Sequence, residues 1–384
     1  MIEPSRDPPH MALALELAER GLGGVEPNPM VGCVIVAGDR VVSQGWHARF
    51  GGSHAEIEAL AQAGSAAVGA TMYVTLEPCC HHGKTPPCTE AIVRAGIRRV
   101  VVAHRDPFPR VDGGGIDQLR AAGVQVDVGL MESASRRLNA PYLKLVRQGR
   151  PWINAKWAMT LDGKLAARSG DSRWISGERS RQRVHQLRGR MDAILIGAGT
   201  ARADDPQLTV RPSGLRTPVR IVLDSQATLA TDSRLVQTAR ETPVLIAAGP
   251  EAPRQRCQQL KAAGCEVWIG ASEDRNQRLM ELLEELGRLR MTHVLVEGGA
   301  QVLGSLFDAR AIDEVHAFVA AKLIGGRTAP SPLAGCGLSH MPQAVTLSEP
   351  TIEILEGDVY FRGRLEHDQH PLADGQHGRD PRPA

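Results

Sequence analysis

Aromatic residues are scarce in this chain, at 3% of 384 residues. A protein that grips single-stranded nucleic acid by stacking bases on aromatic platforms carries more of them. An excess of one charge is lacking too. The formal net charge is +2, and the segments on either side of Arg150 each balance to within one charge. Duplex binding usually leaves a basic face, so no nucleic-acid partner is expected. No apolar run reaches the length that spans a bilayer, so no membrane partner is expected either. Residues Met1 to His10 are polar and proline-rich, without the basic and apolar segments of a signal peptide. The seven cysteines are odd in number and four of them precede Arg99, which is not the pattern of a secreted disulfide framework. These absences together predict a cytoplasmic protein whose thiols are available for metal.

The remainder reads as an ordinary globular protein, with 42% hydrophobic and 23% charged residues over a length that suggests two domains. Apolar strand patterns at 31–36, 41–46, 71–76, 99–103 and 124–128 alternate with helical patterns at 11–20, 54–63, 89–95, 116–122 and 132–146. That alternation predicts a layered α/β domain over residues 1–149. A second α/β domain is expected over 150–365. It opens on a strand at 152–158 and includes a helix at 179–190, a loop rich in Gly, Asp and Pro down to Arg211, and one closing strand at 353–365. The His-, Asp- and Pro-rich tail, 366–384, is expected to be disordered.

The chemistry concentrates in the first domain. His54-Ala55-Glu56 is followed by Pro78-Cys79 and then by Cys88. An imidazole and two thiolates can hold zinc while leaving a fourth position for water, and a nearby carboxylate can then move protons. Zinc nucleobase deaminases use this residue set, although their two cysteines normally stand three apart rather than nine. Residues two apart do not share a helix face, so His54 and Glu56 can serve one ion only if it sits off a helix N-terminus. A closed structural site remains open as an alternative, with Cys80, His81 or His82 as fourth ligand. In the catalytic reading zinc lowers the pKa of water toward ~7, and Glu56 carries the proton from water to the leaving amine.

The second domain is less specific on its own residues. Gly197-Ala198-Gly199-Thr200-Ala201-Arg202 starts like a dinucleotide fingerprint but lacks the third glycine. The strand ending in Glu297-Gly298-Gly299 and running into a helix offers a helix N-terminus to a diphosphate, though such turns are commonly simple packing. Lys156 and Glu297 are the ionisable candidates for the chemistry. A nucleic-acid deaminase with an accessory domain, a zinc-stabilised nucleotide-binding scaffold and a chain with only one active half are the competing readings.

Taken together, Pro27 to Val36, His54-Ala55-Glu56, Glu77-Pro78-Cys79 and Thr85 to Cys88 closely resemble the bifunctional pyrimidine deaminase/reductase of riboflavin biosynthesis. In the second half Leu161 to Lys164, Ser169 to Ile175, Ala203 to Arg211 and Val296 to Gly299 resemble its reductase domain. The resemblance implies a cytidine-deaminase-like fold followed by a dihydrofolate-reductase-like fold. The implied cofactors are one Zn2+ and NADPH, the substrates small phosphoribosylaminopyrimidines, and the assembly a homo-oligomer, dimer or tetramer. The implied roles are zinc ligation by His54, Cys79 and Cys88, proton transfer by Glu56, and substrate contacts by Asn28, His47, Lys84 and Asp106, with amide and carboxylate suited to the ring edges and the Lys84 ammonium to the phosphate. For the reductase it implies NADPH contacts at Ala158, Trp174, Thr200, Asp204, Ser225 and Gly299, Ala300, Gln301, Val302, Leu303, Gly304 and Ser305. Substrate contacts are implied at Ser172, Arg188, Leu208, Arg211 and Glu297. The chain departs from the common family pattern at Phe108, where Asn is usual, and at Cys80, where Ser is frequent.

Overall fold

The computed structural model describes residues 7–82, 86–212 and 216–365. Lys84 and the tail 366–384, for which a binding role and disorder were expected, lie outside the described residues. The chain divides into two compact units, Met1–Trp152 with Arg181–Leu295 and Ile153–Ser180 with Val296–Ala384.

The first unit contains a five-stranded sheet in the order β2-β1-β3-β4-β5. β1 (Gly32–Ala37), second in that order, is buried along almost its whole length, as a continuous apolar run requires when both sheet faces are covered. β2 (Arg40–Trp46) and β3 (Thr71–Val74) flank β1 antiparallel. β4 (Arg99–Val102) and β5 (Gln125–Val128) extend the sheet parallel. Alternation along the strands sends side chains to opposite faces. Val34, Val36, Tyr73 and Val101 meet Met11, Ala14 and Leu17 of α1 (Asp7–Glu19). Cys33, Ile35, Met72, Val74 and Val100 meet α2 (Ala55–Ala63), α3 (Cys88–Arg94) and α4 (Gly114–Ala121) through Ala55, Ala59, Ile92, Ile116 and Leu119.

Two features of this layer position the site. Gly45 of β2 lies so close to α2 that a Cβ there would stand 2.3 Å from the Ala55 carbonyl oxygen. The alanine-rich inner face of α2 exploits this gap and seats the helix start against the sheet. The single helical segment expected over 132–146 is instead two helices, α5 (Glu132–Leu138) and α6 (Ala140–Gln148). They break at Asn139, whose buried amide pairs with the main chain of Met30, accepting at 2.8 Å and donating at 2.9 Å. Pro141 in the first turn of α6 cannot donate a backbone bond and suits that restart.

The same unit holds a run of parallel strands in the order β10-β9-β8-β7: β7 (Ala193–Gly197), β8 (Val219–Leu223), β9 (Val244–Ala248) and β10 (Glu266–Ile269). The loop expected between Ile196 and Arg211 begins with a helix, α8 (Ala198–Asp204), whose alanines outweigh its glycine in propensity. A short helix, α9 (Arg234–Gln237), was also not expected. Helices expected over 253–263 and 276–289 are α10 (Arg254–Ala262) and α11 (Arg275–Arg288), and α7 (Glu178–Arg188) precedes β7.

In the second unit β6 (Trp152–Thr160) runs parallel to β12 (Glu314–Ala320), which pairs antiparallel with β14 (Asp358–Leu365). The one strand expected at 353–365 is a hairpin of β13 (Leu347–Leu355) and β14. Its turn, Glu356-Gly357, has φ of 51° and 95°, and two left-handed residues make the tight connection that matches strand twist. β11 (His293–Gly298) leads into α12 (Ala300–Asp308).

Candidate active site

His54 is the N-cap of α2, with extended backbone at φ −74° and ψ 159°, while Glu56 lies one residue inside the helix. The change of backbone conformation between them lets both side chains turn to the helix end. Cys79 follows β3 in a loop, and Cys88 opens α3. Two helix starts therefore face one point, and their partial positive charges favour thiolate and hydroxide there.

The ligand atoms of His54, Cys79 and Cys88 all lie within 4.8 Å of one another. His54 Nδ1 is 3.2 Å from Cys88 Sγ and 3.6 Å from Cys79 Sγ. Imidazole nitrogen and thiolate sulfur on one tetrahedral zinc stand about 3.5 Å apart, so this donor set fits zinc without rearrangement. Among the described residues none of the proposed fourth protein ligands joins that cluster. Cys80 Sγ meets the Arg110 carbonyl at 3.7 Å, His82 Nε2 sits 3.4 Å from Glu90, and the His81 ring tilts against Phe108 with centroids 6.1 Å apart. Among the described residues the metal cluster has three members, which is the open form.

Electrostatics agree with that chemistry. The Cys79 thiol is held well below its ordinary value, first by its hydrogen bond with Cys88, with burial opposing and His54 adding. The same hydrogen bond, burial and Glu56 push the Cys88 thiol up. The His54 imidazole is raised to about 9, chiefly by its hydrogen bond to Cys79. A metal cation replaces the protons these groups share, so its binding releases protons. Glu56 is 3% exposed, and burial raises its carboxyl above the usual range, with His54 opposing.

The remaining walls bind polar ring edges. Buried His47 donates from Nδ1 to the Ser53 carbonyl at 2.9 Å, which leaves Nε2 to accept from the Asn28 amide at 3.1 Å. Burial lowers the His47 pKa and keeps the ring neutral. Asn28 is carried by the segment that Asn139 clamps at Met30. Asp106 is buried and accepts from the Tyr142 hydroxyl at 2.9 Å and the Phe108 amide at 3.0 Å. Its loop is tied down by Glu77. One oxygen of Glu77 accepts from the amides of Asp106 and Gly113, both at 3.1 Å, and the other from Gly115 and Ile116 at 2.9 and 3.1 Å. One pocket is lined by Asn28, His47, His54, Glu56, Cys79 and Asp106, and also by Tyr142 and Arg290, which sequence reasoning missed. Tyr142 carries no local motif, and Arg290 stands far along the chain; the buried partner of a buried Asp was the only available signal for the tyrosine.

In the second unit Lys156 on β6 lies 3.7 Å from Glu297 on β11, and its ammonium stands 5.9 Å from the Phe318 ring centroid. Ala158 is half-buried two residues on, Ser172 is half-buried and Trp174 is 65% exposed. Gly299 is the N-cap of α12, and its carbonyl accepts from the Val302 and Leu303 amides at 3.0 and 3.1 Å. The start of α12 therefore presents the amides of Ala300 and Gln301 to an anion, with Ser305 a turn further in. Leu303 is 1% exposed and Gly304 is packed against the Ala334 carbonyl, so neither offers a side chain to a ligand.

In the first unit Arg188 Nη1 donates to the Thr209 carbonyl at 3.1 Å and Arg211 Nε to the Thr209 hydroxyl at 3.3 Å, so both arginines gather on one residue. Leu208, beside it, is 4% exposed with φ of 52°. Thr200 and Asp204 lie on α8, and the Ser225 hydroxyl accepts from Arg278 at 2.6 Å.

Comparison with known proteins places both halves. Residues 4–104 match the family model described as the cytidine and deoxycytidylate deaminase zinc-binding region, and residues 151–358 match the RibD C-terminal domain. The riboflavin biosynthesis protein RibD of Actinobacillus pleuropneumoniae is 41% identical over 350 residues, covering 91% of this chain and 93% of that protein. RibD of Escherichia coli is also 41% identical, over 333 residues, covering 83% and 89%. The structure of Acinetobacter baumannii RibD superposes with a TM-score of 0.83 at 36% identity, covering 94% of this chain and 99% of that one. A deaminase/reductase structure from Thermotoga maritima superposes with a TM-score of 0.78 at 35% identity, covering 93% and 98%.

Proposed function

Since the chain belongs to the RibD family of riboflavin biosynthesis proteins, we propose that it catalyses two successive steps of that synthesis. The first is hydrolytic deamination of 2,5-diamino-6-(5-phosphoribosylamino)pyrimidin-4(3H)-one to 5-amino-6-(5-phosphoribosylamino)uracil. The second is reduction of the ribosyl group to ribityl with NADPH. The deaminase portion is residues 1–149 and the reductase portion 150–365.

The observation that carries the first step is the three-ligand cluster beside buried Glu56. His54, Cys79 and Cys88 would hold zinc, which supplies the Lewis acidity that makes water a nucleophile near neutral pH. Glu56 takes the proton from that water and delivers it to the departing amine; its raised pKa suits a group that must both accept and donate. Asn28 and Asp106 orient the ring edges, and neutral His47 fixes Asn28. For the second step NADPH supplies hydride. The amides of Ala300 and Gln301 suit its diphosphate, Lys156 and Glu297 flank the reacting sugar, and Arg188 and Arg211 suit the substrate phosphate.

All seven cysteines are unpaired, which supports a reducing, cytoplasmic setting. No helix among the described residues is long and apolar enough to cross a membrane. Ile352 and Ile354 on β13 are 63% and 77% exposed, which supports assembly into a dimer or tetramer. The test of the whole reading is to follow ammonia release and NADPH oxidation on the diaminopyrimidinone substrate. Both are expected, and ammonia release is expected to stop with a zinc chelator. Ammonia without NADPH oxidation would leave a deaminase alone, and neither signal would sink the assignment.

A further inference from the structure

Arg290 occupies the turn between α11 and β11, far in sequence from the motifs of the deaminase site, yet it lines the same pocket as His54, Glu56 and Asn28. The other ionisable groups lining that pocket are Glu56, Glu77, Asp106, Cys79, Tyr142 and three histidines, His47, His54 and His81. Arg290 is therefore the permanent cation among the described lining residues; Lys84, the other cation expected at the substrate, lies outside them. Its charge reaches Tyr142. Burial pushes that phenol up, Asp106 adds to the push, and Arg290 opposes them. Gly287 of α11 packs directly on the Gly149 carbonyl at the end of α6, the helix that carries Tyr142, so Arg290 reaches the pocket from the Tyr142 side.

The backbone adds a second observation. Arg290 has φ of 59°, and its amide donates to the Gly287 carbonyl at 2.8 Å, closing the end of α11. This is a helix-terminal position that glycine fills without strain. Arg310 takes the same left-handed position at the end of α12, with φ of 51°, so what sets Arg290 apart is that this exposed residue lies at the wall of the pocket.

We propose that Arg290 binds the phosphate of the deaminase substrate and so selects phosphorylated over unphosphorylated pyrimidine ribosides. This rests on the deaminase reading above. With the pyrimidine ring turned to Glu56 and held by Asn28 and Asp106, the ribosyl phosphate is the part of the substrate that projects away from the metal ligands. The planar fork of a guanidinium pairs with phosphate through two parallel charge-assisted hydrogen bonds. Arg290 acts as a specificity residue and takes no part in the proton transfer. It also makes substrate choice in the deaminase depend on a residue from beyond position 150.

The experiment compares wild type, Arg290→Gly and Arg290→Lys in ammonia release from the phosphoribosyl substrate and from its dephosphorylated riboside. Arg290→Gly is chosen because glycine suits the left-handed backbone, so its thermal midpoint is expected to equal or exceed that of wild type. Its preference in kcat/KM for the phosphorylated over the dephosphorylated substrate is expected to fall about 10- to 100-fold, mainly through KM. Arg290→Lys is expected to lie between the two. An unchanged preference, or an equal loss on both substrates, would overturn the proposal while leaving the deaminase reading intact. A wild-type enzyme that releases ammonia from neither substrate would overturn the deaminase reading itself.

Discussion

His54 and Glu56 are two residues apart, and on a regular helix their side chains would point about 160° away from each other. They meet because His54 is an extended N-cap and only Glu56 is helical. The carboxylate can then be removed without touching the metal ligands. Glu56→Gln is expected to keep its zinc, measured by metal analysis, and to lose about 10²–10⁴-fold in deamination rate. A variant with full turnover would dismiss Glu56 as the proton carrier. Cys88→Ser should instead lose zinc and activity together, because a hydroxyl is a poor substitute for thiolate. The histidine, cysteines and glutamate were legible in the sequence because few other roles suit that combination at those spacings. Tyr142 and Arg290 were not, because their relation to the pocket exists only in three dimensions.

At the scale of elements, the loop after β4 carries Asp106 and Phe108 and owes its shape to one side chain. Glu77 accepts four main-chain hydrogen bonds, two on each oxygen, across residues 106–116. Glu77→Gln would set an NH2 group against two amide donors. It should cost about 2–3 kcal/mol in chemical denaturation and raise KM for the pyrimidine more than it lowers kcat. A stability equal to wild type would show that the loop holds itself. Strand and helix identities in the first 130 residues were readable from periodicity. The break at Asn139 was not, because the Asn139 amide satisfies Met30, a partner that periodicity does not reveal. The β13–β14 turn was missed for a different reason: Glu356 is not a residue that signals left-handed backbone, although Gly357 beside it is.

At the scale of the molecule, acid stability should depend on the second unit. His316 is 2% exposed, with the Tyr360 hydroxyl 2.7 Å from Nδ1 and Glu314 3.4 Å from Nε2. Burial lowers its pKa to about 4, with Glu314 opposing. Burial also works against the charge of Glu314, but His316, Arg362 and Arg364 outweigh it and lower its pKa. Because folded His316 stays neutral while the unfolded chain takes up a proton near pH 6.5, stability is full above that pH. It falls as pH drops toward 4, by on the order of 3 kcal/mol at most from this group, and Glu314 adds its own loss below its ordinary range. Denaturation midpoints across that window should show this slope, and His316→Gln should flatten it; an equal slope in the variant would exclude His316. Zinc removal should separate the two activities, stopping ammonia release while NADPH oxidation continues on supplied deaminated intermediate.

The sequence by itself determined the chemistry. Its rare, reactive residue types stand at spacings that only a few sites use, and its apolar periodicity specifies strands and helices locally. What the tertiary structure decided was the company those residues keep. It gathered His54, Cys79 and Cys88 without Cys80, His81 or His82, buried Glu56, joined Asp106 to Tyr142 and brought Arg290 from a distant turn to the pocket. Burial and charge proximity depend on how elements pack, and packing brings together positions that no local spacing connects.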